Sequence, residues 1–227
     1  MTKYVDVMYP DEEGDYPQKL ATYLYNRFYK RYKGGKLLDI GCGTGAEMKA
    51  FERCGLDCYG VDIRKETNNP KIKECNLETN PFPFENNTFE GVFSKSVIEH
   101  LFRPDNLFKE AYRVLKPGGI CIIMTPDWKS RMSHFWDDYT HVHPYTQRGL
   151  KDTLRIFEFQ NVSCELIYQL PFTWKHPYLK FIPKIISIAP DSWRWKKNGT
   201  SRKIIRFSKG KMLLAHGWKV SQNTSRG

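Results

Sequence analysis

The sequence predicts an α/β protein: a doubly wound sheet of parallel strands, with an N-terminal helix before it and a C-terminal cap after it. Three observations carry that expectation. Short apolar runs alternate with segments of helical periodicity, the pattern of βαβ units. One apolar run ends in three glycines at alternate positions, Gly41, Gly43 and Gly45, and leads directly into a helical segment. The length, 227 residues, suits one such domain with additions.

Residues 16–32 (YPQKLATYLYNRFYKRY) set Leu20, Tyr23, Leu24, Phe28 and Tyr32 at helical spacing and predict an amphipathic helix. Residues 36–42 (KLLDIGC) read as a buried strand, and residues 46–53 as a helix capped by Gly55. DCYGVDI (57–63) is the second strand, 72–76 a short third, and FEGVFS (89–94) the fourth. A helix over 104–115 is ended by Pro117-Gly118-Gly119. ICIIMT (120–125) is apolar enough for the middle of a sheet. Beyond Pro126 the pattern loosens. Residues 127–148 form an aromatic and histidine-rich loop, 146–157 a helix and 162–170 a sixth strand. Residues 171–200, with prolines at 171, 177, 183 and 190, suggest an irregular cap, and 211–219 a last strand.

Composition excludes several classes. Hydrophobic residues at 40% and charged residues at 27% exclude a wholly disordered chain. Mean hydropathy is −0.60, and no run approaches the ~20 apolar residues of a membrane span. The start, MTKYVDVMYPDEEGD, is acidic and lacks an apolar core, so no secretory signal is expected and the setting is read as cytoplasmic. The six cysteines form no CxxC pair, which argues against a zinc ribbon and for reduced, free thiols.

Charge is uneven. The net +11 resides in the last quarter: residues 170–227 hold 13 Lys and Arg against the single acid Asp191, while residues 1–169 are nearly neutral. Phe172, Trp174, Tyr178, Phe181, Trp193, Trp195, Phe207 and Trp218 are interleaved with those cations. Such a quarter suits an anionic partner: nucleic acid, an anionic membrane surface or a phosphate-bearing substrate. A solvated basic rim over a packed core is the plainer alternative.

The glycine-rich turn is the strongest local signal. Glycine admits positive φ and lets a ligand approach the backbone, and the helix behind it favours electron-rich groups. The spacing is GxGxG; the dinucleotide fingerprint GxGxxG requires glycine where Ala46 stands. Asp62 ends the second strand, where a carboxylate can accept bonds from both ribose hydroxyls. Ile63 can pack on an adenine face, Asn76-Leu77 can meet its edge, and Ser94 ends the fourth strand. Each is also an ordinary turn or capping residue on its own. Together they occupy the carboxyl ends of parallel strands, where open α/β sheets bind ligands.

LLDIGCGTG, GVDI, PFPFENNTFEGVFSKSVIEHL and LKPGG follow one another over roughly residues 35–126 and resemble the successive motifs of class I S-adenosylmethionine-dependent methyltransferases. The resemblance implies a Rossmann-like, seven-stranded sheet with the last strand antiparallel, and S-adenosylmethionine as cofactor. It implies that Asp39, Gly41 and Gly43 surround the methionine part, that Asp62 binds the ribose, that Ile63, Asn76 and Leu77 lie at the adenine, and that Ser94 contacts the amino-acid end. Asn76 stands where the family usually has Asp; an amide still bonds adenine. The expected organisation is a single domain over 1–227: helical segment 1–34, cofactor-binding core 35–126, substrate-side loops and cap 127–200, and last strand with basic tail 201–227.

Methyl transfer to a hydroxyl needs a base. The segment 134–145, HFWDDYTHVHPY, concentrates acids, histidines and aromatics, and Asp138 and His141 are close enough in sequence to share a turn. His141 is the candidate base, with Asp137 or Asp138 orienting it; loop histidines with satisfied hydrogen bonds are the alternative. FWDDYTHVHPY also resembles a motif of bacterial and viral glycan O-methyltransferases, close to F-[WY]-D-D-x-T-H-V-R-P-[FY]. Asp137, Asp138, Thr140, His141 and Pro144 match, whereas His143 replaces the usual Arg. That resemblance implies a sugar hydroxyl as acceptor, such as a terminal deoxyhexose of a glycan, glycolipid or sugar nucleotide.

Some relatives use E-x-x-E-H for a divalent metal. Ser96 occupies the first Glu position, which leaves Glu99, His100 and His141 as an alternative oxygen/nitrogen site; pocket lining is the preferred reading and no metal is assigned. Ser94-Lys95-Ser96 stands where amino-group methyltransferases carry (D/N)PP(Y/F), which disfavours exocyclic amines. An RNA or small-molecule O-methyltransferase and a cofactor-binding module without catalysis are the competing readings, with the basic tail held ready for a membrane surface, phosphates or neither.

Overall fold

Strand-forming apolar runs without helical periodicity build the sheet. In the computed structural model, which describes residues 14–64, 68–194, 196 and 202–221, seven strands form one sheet. They are β1 (Lys36–Ile40), β2 (Asp57–Asp62), β3 (Ile72–Glu74), β4 (Phe89–Lys95), β5 (Leu115–Pro126), β6 (Gln160–Tyr168) and β7 (Lys211–Trp218). Their order is β3-β2-β1-β4-β5-β7-β6. Pairings among β1 to β5 are parallel, and β7 is antiparallel to both β5 and β6. The order reverses between β1 and β4, which opens a crevice at the carboxyl ends of those two strands. This is the doubly wound, seven-stranded sheet expected from the sequence.

Alternation along the strands divides the core. Leu37, Phe93, Ile122 and Met124 face one layer, with Leu20, Leu24, Phe51 and Met48 from helices α1 (Tyr16–Leu24) and α2 (Ala46–Arg53). Leu38, Val92, Cys121 and Ile123 face the other, with Phe108, Ala111, Leu150 and Leu154 from α3 (Asp105–Val114) and α5 (Gln147–Ile156), the short α4 (Trp128–Arg131) lying between them in the chain. Being covered on both faces explains the nearly continuous apolar sequence of β5. All six cysteines are free, and all but Cys54 are buried.

Several boundaries differ from expectation for physical reasons. The helical run over 16–32 is three segments: α1, a π-helical turn over Tyr25–Tyr29 and a 3₁₀ turn over Lys30–Tyr32. Within the π turn Tyr29 is buried, and its hydroxyl donates to the Val92 carbonyl at 3.1 Å. Gly55 follows the cap residue Cys54 with φ +94°; the Gly55 and Leu56 N–H groups bond Glu52 and Phe51, a left-handed helix stop. β5 begins at Leu115, so Pro117-Gly118-Gly119 lies within it as an irregularity, with the register against β4 shifting between Phe89 and Gly91. The cap over 171–194 is ordered into α6 (Pro171–Lys175), a 3₁₀ turn, α7 (Phe181–Ile186) and a second 3₁₀ turn, followed by α8 (Lys203–Lys209). Trp195 and the stretch 197–201 lie outside the described residues, as does the tail from 222 onward. No helix among the described residues is long and apolar enough to cross a membrane.

Candidate active site

The crevice is built from main chain first. As β1 ends, the Gly41 and Cys42 N–H groups bond the Val61 carbonyl at 2.8 and 3.2 Å, and the Gly43 N–H donates to Asp62 Oδ2 at 2.8 Å. Gly41 and Gly43 have φ of +73° and +50°. A Cβ at Gly41 would lie 2.2 Å from Val97 Cγ2, whereas a Cβ at Gly43 would meet nothing within 4 Å. Gly41 is therefore required by packing, and Gly43 borders open space. Asp62 does two things: Oδ2 pins the turn, and Oδ1 accepts from the Arg64 N–H at 3.3 Å.

Asp39, one residue before the end of β1, is buried, and its Oδ2 has no hydrogen-bond partner among the described residues. Burial pushes its carboxyl well above the ordinary range; Glu47 adds to that, and Lys95 opposes it. A buried acceptor lacking a donor is costly unless a ligand supplies one. The Lys95 ammonium pairs with Glu47 at 2.7 Å and lies over the Tyr16 ring, 5.4 Å from its centroid. Tyr16 is also buried, its hydroxyl has no partner among the described residues, and burial pushes it up to about 12. Sequence reasoning missed Tyr16 and Lys95. Tyr16 merely opens an amphipathic helix, with no local signal of a crevice.

The other expected cofactor positions divide. Ile63 is exposed at the end of β2. Asn76 Oδ1 accepts from the Glu78 N–H at 2.9 Å, so its carbonyl is engaged in its own turn. The Leu77 side chain is buried in the core, and its carbonyl accepts from Asn106 at 3.0 Å. The Ser94 hydroxyl is buried and donates to the Ile40 carbonyl at 3.0 Å, tying β4 to β1.

A second constellation stands at the exit of β4. Ser96, with φ +56°, turns the chain into a 3₁₀ turn, Ile98–His100. The Glu99 carbonyl accepts the N–H groups of Val142 and His143 at 2.8 and 3.0 Å, which clasps the histidine-rich loop to the sheet. His141 Nδ1 lies 2.6 Å from the Phe135 carbonyl, which can only accept; the Nδ1 proton is thereby placed and Nε2 carries the lone pair. Asp138 Oδ2 is 3.7 Å from that Nε2. Asp138 Oδ1 accepts from the Thr140 hydroxyl at 2.7 Å, and the Thr140 oxygen is 2.8 Å from His100 Nδ1. One carboxylate thus faces both histidines, whose rings are 4.8 Å apart. Asp137 is exposed at the end of a 3₁₀ turn and forms no ion pair with His141 among the described residues, so of the two expected orienting acids only Asp138 is in place.

Burial holds His100 below the ordinary imidazole range, with His141 adding to the effect and Asp138 opposing it. Glu99 is buried; Oε2 accepts from the Thr125 hydroxyl at 2.8 Å, Oε1 has no partner among the described residues, and burial pushes the carboxyl up to about 7. Ligand atoms of Glu99, His100 and His141 lie within 4.8 Å of one another, so among the described residues these could hold a metal. Trp136 and Tyr139 are exposed on the same loop. Two clefts, of about 650 and 880 Å³, lie elsewhere, lined around Asp127–Lys211 and around Tyr23–Trp174.

Residues 13–164 match the family described as a methyltransferase domain. The chain belongs to that family. Its sheet is that of class I S-adenosylmethionine-dependent methyltransferases, and it superposes on a SAM-dependent methyltransferase from Archaeoglobus fulgidus with TM-score 0.64 and 19% identity, covering 95% of this chain and all of that one. It is 27% identical over 168 residues to phosphoethanolamine N-methyltransferase 2 of Caenorhabditis elegans, 67% of this chain but 38% of that enzyme. It is 26% identical over 212 residues to a ubiquinone biosynthesis O-methyltransferase of Pelagibacter ubique, 86% of this chain and 73% of the relative. The chain thus spans little more than a third of the nematode enzyme's length. Neither curated relative is named for a sugar acceptor.

The crevice of this methyltransferase domain fits S-adenosylmethionine. The orphaned Asp39 Oδ2 offers an acceptor for an ammonium group, the open space over Gly43 admits a ligand against the backbone, and exposed Ile63 offers an apolar face beside Asp62.

Proposed function

We propose that this methyltransferase transfers a methyl group to a hydroxyl of a sugar, in a glycan, glycolipid or sugar nucleotide, such as a terminal deoxyhexose. The observation that carries the reading is the histidine pair held by Asp138, Thr140 and the Phe135 carbonyl at the exit of β4. Bound S-adenosylmethionine supplies a methyl group on a sulfonium, a good electrophile for in-line displacement. Gly43 and Asp62 would position it, on a turn whose packing requires Gly41, and alignment of this kind is worth about 7–11 kcal/mol. His141 accepts the hydroxyl proton at Nε2, a contribution of ~10²–10⁴-fold, and Asp138 stabilises the imidazolium that forms. Trp136 and Tyr139 offer aromatic faces to the apolar side of a sugar ring. The free thiols, all but Cys54 buried, fit a reducing, cytoplasmic setting.

One observation favours a second assignment within this reading. His141 is only 9% exposed, whereas His100 is half-buried. His100 then meets the acceptor and His141 sits behind it.

The test is transfer of radiolabelled methyl groups into sugar nucleotides, glycolipids, RNA and small hydroxylated metabolites, with His100→Ala and His141→Ala alongside. Label in an O-methyl sugar is expected. At least one variant should lose about two orders of magnitude or more in turnover while keeping cofactor affinity. Label confined to RNA would overturn the acceptor, and full turnover in both variants would overturn the base. Activity is expected to survive EDTA; its loss, with rescue by Mn²⁺, would instead assign Glu99, His100 and His141 as metal ligands.

A further inference from the structure

The cap presents an apolar stripe to solvent. Tyr178, Phe181, Ile185 and Ile188 are 72%, 56%, 62% and 82% exposed. Their steps of three, four and three residues keep them on one side of a helical path through the 3₁₀ turn Pro177–Lys180, α7 and the turn that follows it, where the Ile188 N–H bonds the Ile185 carbonyl at 3.1 Å. Pro183 is buried, and Ile182 and Ile186 are half-buried, so the helix already has an inward face and the stripe is the opposite one. Single exposed apolar residues are ordinary; a continuous stripe of large ones marks a contact surface.

Charge identifies the partner. Lys180 and Lys184 are exposed within the stripe and form no ion pair among the described residues. Asp191, the one acid in this quarter, is paired with Lys209 at 3.0 Å. A second copy docking here would set one strongly basic surface against another. An apolar face flanked by lysines matches a bilayer with anionic headgroups, where the rings and isoleucines enter the interface and the ammonium groups meet phosphates. We propose that the stripe Tyr178–Phe181–Ile185–Ile188, with Lys180 and Lys184, docks this methyltransferase on an anionic membrane surface. The proposal is independent of the acceptor chemistry above and stands or falls without it.

Flotation of the full chain with vesicles tests it, using phosphatidylcholine alone and phosphatidylcholine mixed with phosphatidylglycerol. The protein should float with the mixed vesicles at low salt and less at high salt. Phe181→Ser/Ile185→Ser/Ile188→Ser should weaken binding on the order of a hundredfold or more, and Lys180→Glu/Lys184→Glu about tenfold or more. Because these side chains are exposed, the melting temperature and turnover on a water-soluble acceptor should be unchanged. Absence of wild-type flotation at low salt, or full binding by the serine variant, would overturn the proposal. So would a concentration-dependent dimer that the serine variant abolishes while vesicle binding is absent, since the face would then belong to a second copy.

Discussion

Two glycines two positions apart should fail in different ways when given a methyl group. At Gly41, alanine is forced into the left-handed region at φ +73°, which costs about 1–2 kcal/mol. Its Cβ would also fall 2.2 Å from Val97 Cγ2, so Val97 or the β1 end must move, and overpacking of this kind costs about 1–3 kcal/mol. Gly41→Ala should therefore lose on the order of 3 kcal/mol, or ~6–12 °C in melting temperature for a chain of this size. At Gly43, φ is +50° and the space beyond is open, so only the backbone cost remains, about 1 kcal/mol or ~2–4 °C. That open space is where the cofactor is to meet the main chain. A methyl group there should weaken S-adenosylhomocysteine binding about 5- to 150-fold, the equivalent of a clash of ~1–3 kcal/mol. Calorimetric titration with S-adenosylhomocysteine and thermal unfolding of the apo-protein measure the two effects separately. If Gly43→Ala binds like the wild type, or if the two variants melt together, the division between a packing glycine and a ligand glycine is refuted.

Further outcomes follow from the same geometry. Asp62→Ala removes both the acceptor that pins Gly43 N–H and the expected ribose ligand, so cofactor affinity should fall by roughly ten- to a hundredfold, about 1.4–3 kcal/mol by titration. Asp138→Asn deprives His100 of the one charge that opposes its lowered pKa, so the imidazole resonances of His100 should titrate at still lower pH, and turnover should fall with them. Glu99 rises from the ordinary 4.5 to about 7 through burial, so the unfolded chain ionises first and the native state is penalised increasingly as pH climbs between those values. Glu99→Gln should melt with the wild type in acid and above it beyond neutrality, by on the order of 3 kcal/mol, in melts recorded with EDTA; equal melting at both ends would refute the burial of that carboxyl.

The half of the molecule that holds the cofactor was legible because its signals are local. Strand, glycine turn, helix and Asp62 occur within a few dozen residues, and each demand is a backbone demand that sequence records directly. Ser94 and Leu77 were read by position along their strands, but position does not reveal which way a side chain is spent: one stitches β4 to β1, the other fills the core. The proposed acceptor side was legible only as composition. HFWDDYTHVHPY announced histidines and acids, yet the bond between His100 and Thr140 joins residues 40 apart, and only the path of the chain brings them together. Asp137 and Asp138 were equivalent on paper; the 3₁₀ turn at Phe135–Asp137 sends one to solvent and buries the next. The cap over 171–194 was misread as irregular because prolines at the first turns of short helices, Pro171 and Pro177, look like breakers in sequence.

The exit of β4 connects the two halves. Ser94 bonds β1, Ser96 N–H bonds the Met124 carbonyl of β5, Val97 packs on Gly41, and the Glu99 carbonyl takes two N–H groups of the histidine loop. Six consecutive residues thus fix the glycine turn and the His141 segment to the same rigid strand ends. In-line methyl transfer demands that donor and acceptor be held in one frame, since misplacement by an ångström forfeits much of the benefit of alignment. A loop fastened only to itself could not supply that frame. Fastened to Glu99, the histidine pair inherits its position from β4, the strand that also borders the cofactor crevice, and the left-handed turn at Ser96 is the backbone cost of placing both on one support.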